Sequence, residues 1–162
     1  MKKVYFISGL GADKRAFSFL DLTFCEPIFI DWIKPVDNES LYQYAMRLKE
    51  QINEPSPTIV GVSFGGMLAT EIAKSDASAK VIIISSNKIK KEFPKILLIG
   101  KYIPLYKWIP STILKKAGAF RVRFFGPKGE NQKKIFNQIL KDTDTKFTKW
   151  AIHSILHWGN KI

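Results

Sequence analysis

With 162 residues, 46% apolar and 25% charged, the chain has the size and composition of one globular domain, which excludes disordered, collagen-like and coiled-coil classes. Its single cysteine, Cys25, excludes an internal disulfide framework and a Cys-rich zinc module, and reads as a small buried hydrophobe. The net charge of +12 is uneven: residues 88–134 hold 13 basic and 2 acidic side chains, whereas residues 1–87 hold 9 basic and 10 acidic, so the basic stretch is expected to form a separate structural unit.

The elements follow in chain order. Val4 to Ile7 is too short for a signal-peptide core and reads instead as part of a first strand, Lys3 to Ser8. Pro27 to Asp31, Thr58 to Val62 and Lys80 to Ser85 read as three more. All four are continuous β-branched and aromatic runs, the pattern of parallel strands covered on both faces. Ser40 caps a predicted helix with Leu41, Tyr44, Ala45, Leu48 and Ile52 on one face, and Ser40 with Gln43 fits a capping box. Pro55 and Pro57 stop that helix before the third strand. Gly65 to Ser75 is a second helix, presenting Leu68, Ala69 and Ile72. Strand and helix alternate, which implies right-handed crossovers and an α/β sandwich.

After Ser86 the alternation ends. Short helices are expected around Phe93–Leu105 and Ser111–Lys116, then longer ones near Gln132–Lys141 and Phe147–Trp158. The most apolar stretch, Ile96 to Leu114, is interrupted by Lys101, Pro104, Lys107 and Pro110 and is not a membrane span. A cytoplasmic protein without a transmembrane segment is expected.

The chemistry concentrates in Gly61-Val-Ser63-Phe-Gly65-Gly66, between the third strand and the second helix. G-x-S-x-G in that setting is a nucleophile elbow. The tight turn needs Gly61 and Gly65 to avoid side-chain clashes. It lifts the Ser63 hydroxyl above the sheet edge, and it aims the Phe64 N–H at the place where an oxyanion would form. The competing reading is a Gly-rich turn with an ordinary surface serine. Upstream, the first strand runs into Ser8-Gly9-Leu10-Gly11-Ala12-Asp13, a loop able to offer a second oxyanion donor. A dinucleotide-binding loop is the rival here, since Asp31 lies 20 residues beyond Gly11. Lys14 stands where its third glycine belongs, however. No phosphate P-loop is present.

These segments resemble the α/β-hydrolases, in particular small bacterial serine hydrolases with the motifs SGLGAD (here Ser8 to Asp13) and GVSFGG (here Gly61 to Gly66). The similarity extends to Trp150-Ala-Ile and Trp158-Gly-Asn160. It implies a partial α/β-hydrolase fold: a parallel sheet of about four strands flanked by helices in residues 1–86, followed by a helical cap in residues 87–162. It also implies Ser63 as nucleophile, the Leu10 and Phe64 amides as oxyanion donors, and Gly9, Gly11, Gly61, Gly65 and Gly66 as the motif glycines. The expected substrate is a small acyl compound, an ester or thioester. No cofactor and no metal are implied.

In such enzymes the triad continues with an Asp or Glu and then a His on loops after later strands. No such late loops occur here, so an N-terminal portion of a hydrolase, weakly active or inactive, is expected. His153 and His157 fall four apart in a helical pattern beside tryptophans and read as cap-helix residues. Without the Glu of H-E-x-x-H they are not a zinc site. Asp142 reads as a helix-end residue and Asp144 as the cap of the last helix.

The basic stretch interleaves lysines with Phe93, Tyr102, Tyr106, Trp108, Phe120, Phe124 and Phe125. Three readings fit this pattern: adsorption to an anionic membrane, nucleic-acid binding, and a lysine-rich exterior over an apolar lid. Eleven Lys to two Arg favour the lid, and no nucleic-acid partner is expected. The fourth strand would form a very apolar sheet edge, open to pairing with a second copy unless residues 135–162 cover it. The alternative to an enzyme is a degenerate hydrolase fold that binds partners through its basic cap.

Overall fold

The computed structural model describes residues 1–93, 106, 108–110, 112 and 129–160. Four strands, β1 (Lys3–Ile7), β2 (Glu26–Phe29), β3 (Thr58–Val62) and β4 (Lys80–Ile84), form one parallel sheet in the order β2-β1-β3-β4. The register pairs Tyr5 with Ile28 and Ile59, and Val60 with Ile82. Between the strands run α1 (Leu41–Lys49) and α2 (Phe64–Ser75), and α3 (Glu130–Asp142) and α4 (Thr145–His157) follow. All four strands and α2 stand within two residues of their predicted ends, whereas α1 ends three residues before Ile52. The short helices expected around Phe93–Leu105 and Ser111–Lys116 lie almost wholly outside the described residues.

Local chemistry sets the helix ends. Ser40 Oγ accepts from the Gln43 N–H at 3.2 Å while Gln43 Oε1 accepts from the Ser40 N–H at 2.9 Å, the reciprocal capping box the sequence predicts. Ile52 falls beyond α1, because the chain tightens after Lys49 into three-residue bonds such as Ile52 N–H to Lys49 O at 2.8 Å. Asp144 caps α4 by accepting from the Lys146 N–H at 2.8 Å.

The pleat of β1 divides the core. Tyr5 and Ile7 face one layer, where they meet Tyr44 and Leu48 of α1, Leu68 and Ile72 of α2, and Phe147 and Ala151 of α4. Val4 and Phe6 face the other, against Phe17, Cys25 and Phe29. Cys25 is buried there, 2% exposed. Phe6, Phe17 and Phe29 gather with ring centroids 5.3–5.7 Å apart.

This second face is only partly covered. A short turn, Lys14–Phe17, and the segment to Cys25 lie over β1 and β2, but β4 stands at the opposite edge of the sheet. Ile82 and Ile84, in register with Val60 and Val62, are 54% and 46% exposed. The continuous apolar run of β4 predicts cover on both faces; among the described residues β1 has it, while Ile82 and Ile84 of β4 stay exposed. An edge strand without a layer over it reads the same in sequence as a central one. Among the described residues, no helix is long and apolar enough to cross a membrane.

Candidate active site

Strand order places the site. The chain leaves β1 toward β2 and returns across it to β3, so β1 and β3 bracket the point where the winding direction reverses. Ligands in open parallel sheets bind outside the carboxyl ends of the strands at that point. Two loops meet there: residues 8–13 after β1, and Ser63 between β3 and α2.

Ser63 has φ 52° and ψ −117°, a left-handed conformation that a side chain adopts only under constraint. It is exposed, and it is the first residue before α2. Three glycines make the constraint possible. A β-carbon on Gly61 would come within 2.5 Å of the Gly65 carbonyl and 2.6 Å of Gly66 Cα. One on Gly65 would land on the carbonyls of Ile7 and Ser8, and one on Gly66 would sit 2.5 Å from the Ser86 side chain. The crossing of α2 over β1 and β3 is therefore open only to backbone. Below the turn, the Phe64 ring is fully buried among Trp32, Phe147 and Trp150, with centroids 5.8–6.4 Å away.

The first loop is tied down at several points. Ser8 Oγ and Trp32 Nε1 both donate to the Ala12 carbonyl, at 2.9 and 2.6 Å. Gly11 has φ 75°, and Thr143 Oγ1 lies 3.1 Å from its carbonyl. Asp13 accepts the Arg15 guanidinium at 2.6 Å, and the same guanidinium reaches Asp142 at 2.8 Å. That hydrogen-bonded cation holds the Asp13 carboxyl below the usual carboxylate range. The loop faces the serine directly: a β-carbon on Gly9 would stand 3.5 Å from Ser63 Cβ.

A cleft of about 450 Å³ opens between the two loops. Gly9, Leu10, Gly11, Ser63 and Phe64 line it, so the structure brings together five of the eight predicted site residues. Gly61, Gly65 and Gly66 lie beneath, as packing. Ser85, Ser86 and Asn87, which follow β4, complete the polar side, and Phe136, Ile139, Leu140 and Ile155 of α3 and α4 bring apolar side chains. Sequence reasoning missed these residues. Their signal was available, since residues just past the carboxyl end of a parallel strand border the crevice. Among the described residues, neither the Leu10 nor the Phe64 N–H has an acceptor.

The histidines lie elsewhere. His153 Nδ1 is 2.5 Å from Tyr106 Oη, and His157 stacks on His153 with centroids 4.0 Å apart. His157 Nδ1–H donates to the His153 carbonyl at 2.9 Å. Both line a second cavity of about 730 Å³ with Glu71, Lys74 and Trp158, and no described residue lines both cavities. Asp142 and Asp144 border a third recess, beside Asp13 and Trp32. Among the described residues, no three His, Cys, Asp or Glu side chains converge as a metal site would need.

The geometry can be set beside known proteins. No family model and no curated protein matches the chain. Solved structures do. A carboxylesterase of the thaumarchaeon Nitrososphaera gargenis superposes with a TM-score of 0.66 at 13% identity, covering 98% of this chain and 65% of that one. The bottromycin epimerase BotH, in complex with bottromycin A2, gives 0.70 at 16% identity, over 97% and 65%. The epoxide hydrolase CorEH gives 0.68 at 15% identity, over 97% and 67%. The chain has the α/β-hydrolase fold. It spans about two thirds of the length of these structures. The fold hosts an epimerase as well as esterases, so it does not by itself name the reaction.

Proposed function

We propose that Ser63 is the nucleophile of an acyl hydrolase of the ester or thioester kind, with the Leu10 and Phe64 amides as its oxyanion donors. The observation that carries this reading is the exposed Ser63 at φ 52°, facing a loop whose glycines let it approach. A residue adopts such a backbone only where the surroundings enforce it, and strained residues cluster at working sites. Two amides without acceptors among the described residues then border the same cleft as the hydroxyl. Acyl transfer would proceed by attack of Ser63 Oγ on a carbonyl carbon, with the carbonyl oxygen turning toward those amides. The apolar side chains of α3 and α4 in the cleft support residues 87–162 as a cap over a small acyl substrate.

The general base is the missing part. His153 and His157 line another cavity, so these 162 residues place no imidazole beside Ser63. A serine without a base is a weak nucleophile at neutral pH. We therefore infer that this polypeptide by itself is weakly active or inactive, and separately we propose a cytoplasmic location. Incubation with a fluorophosphonate at neutral pH, followed by intact mass, tests the reading. Slow, substoichiometric labelling that Ser63→Ala abolishes is expected. Labelling that survives Ser63→Ala overturns the nucleophile assignment. Stoichiometric labelling lost in His153→Gln overturns the assignment of the histidines. Complete inertness at all pH values favours the binding-module alternative, with the basic cap as contact surface.

A partner is also proposed at the sheet edge. The half-exposed Ile82 and Ile84 of β4 favour pairing with a second copy of the chain.

A further inference from the structure

We propose that Ser86 is a positioning residue for the Phe64 N–H, acting through the peptide bond that joins Ser63 to Phe64. The inference rests on the nucleophile reading of Ser63 and adds a residue to it. Ser86 Oγ donates to the Ser63 carbonyl at 2.6 Å, a short bond between groups 23 positions apart in sequence. The same carbonyl accepts the Gly66 N–H at 2.9 Å and the Met67 N–H at 3.4 Å, and the Ser63 N–H donates to Ile84 O at 2.8 Å. Both backbone polar groups of the strained serine are thus held from the end of β4. Ser85, between Ile84 and Ser86, is itself left-handed at φ 49°. The chain bends there in the way that delivers Ser86 to the carbonyl, and Gly66 leaves the space for it.

The consequence follows from peptide geometry. A trans peptide unit is planar, so its C=O and N–H point in opposite directions. Fixing the Ser63 oxygen fixes the direction of the Phe64 hydrogen. A carbonyl that accepts a hydrogen bond also polarises its amide, which makes the N–H a stronger donor. The Ser86 hydroxyl therefore both aims and strengthens the donor that borders the cleft beside Ser63. The Leu10 amide, on the other loop, is oriented by backbone instead: the Ala12 N–H donates to the Gly9 carbonyl at 3.0 Å.

The experiment uses the full chain with Ser86→Ala, Ser86→Thr and Ser86→Val. Thr keeps the hydroxyl, and Val has its shape without it. Two readouts are taken. The first is the chemical shift of the Ser63 carbonyl carbon and the Phe64 amide nitrogen. Both are expected to move upfield in Ala and Val and to stay near wild type in Thr. The second is the rate of fluorophosphonate labelling at Ser63 under alkaline conditions. It is expected to fall about tenfold in Ala and Val and to be restored by Thr, less than the full loss of a donor would cause. Unchanged shifts in a folded Ser86→Ala protein overturn the inference while leaving Ser63 untouched. Labelling that persists in Ser63→Ala instead overturns the nucleophile reading. Should the β-branched variants fail to fold against Gly66, the Ala shifts alone decide.

Discussion

Gly65 passes the carbonyl of Ile7 with no room for a β-carbon between them. This contact sets how closely α2 crosses β1, and so how near Ser63 comes to the loop at residues 9–12. The neighbouring groups are backbone on both sides, so they cannot move aside as a flexible side chain would. Gly65→Ala is expected to destabilise the fold by about 3 kcal/mol or more, as overpacking of a rigid contact does. Urea denaturation checks this. A loss under about 1 kcal/mol would show that the crossing is compliant.

The capping box at Ser40 offers a milder test. Ser40→Ala removes the acceptor for the Gln43 N–H and is expected to cost about 1 kcal/mol. Gln43→Ala removes the reciprocal bond, and the two losses should be less than additive, because each residue orients the other. A double-mutant cycle on the urea midpoint measures that coupling.

Asp13 provides a pH prediction. Its carboxyl is held below its ordinary value of 3.8, first by the hydrogen bond from Arg15. The folded pKa is depressed, so the stabilisation is present above the ordinary value and is lost as pH falls through the lowered one. Arg15→Ala should return the Asp13 titration toward 3.8 and flatten the acid limb of the stability curve. Carboxyl carbon shifts followed against pH report it, and a titration identical to wild type would refute the link. Because Arg15 also bridges to Asp142, the same variant loosens the end of α3 from the loop.

Tyr44 gives the opposite sign. Burial pushes its phenol up, above the ordinary value of 10.0. The neutral form is favoured in the fold, so its contribution is complete below that value and is lost as pH rises through the raised one. The hydroxyl also donates to Ile33 O at 3.0 Å and accepts from Ile33 N–H at 3.1 Å. Tyr44→Phe should cost about 1–3 kcal/mol at neutral pH by leaving those groups unpaired, and it should soften the alkaline transition. Far-ultraviolet circular dichroism against pH separates the two effects.

The β4 edge is tested by Ile82→Lys. If copies pair there, sedimentation velocity shows a dimer for the wild type and a monomer for the variant, because a lysine disrupts edge-to-edge pairing. A monomer at all concentrations in the wild type removes the proposal.

Much of this protein is legible in its sequence. The strand runs, the Ser40 box, the Asp144 cap and the G-x-S-x-G turn are local patterns, and local steric and hydrogen-bonding rules suffice to read them. Even the tension at Ser63 is foreseeable, because only glycines at 61 and 65 let a strand turn so sharply into a helix. What no local rule supplies is which segments meet. Ser86 follows a strand like any other until the order β2-β1-β3-β4 sets it beside the Ser63 carbonyl. Thr143 is an ordinary helix-end residue until α3 brings it to Gly11. The histidines have the right order for a triad and the wrong place, since α4 turns them toward Tyr106 and Glu71. The bare face of Ile82 and Ile84 is hidden for the same reason: an apolar strand announces its wish for burial, but only the packing of layers decides whether anything covers it.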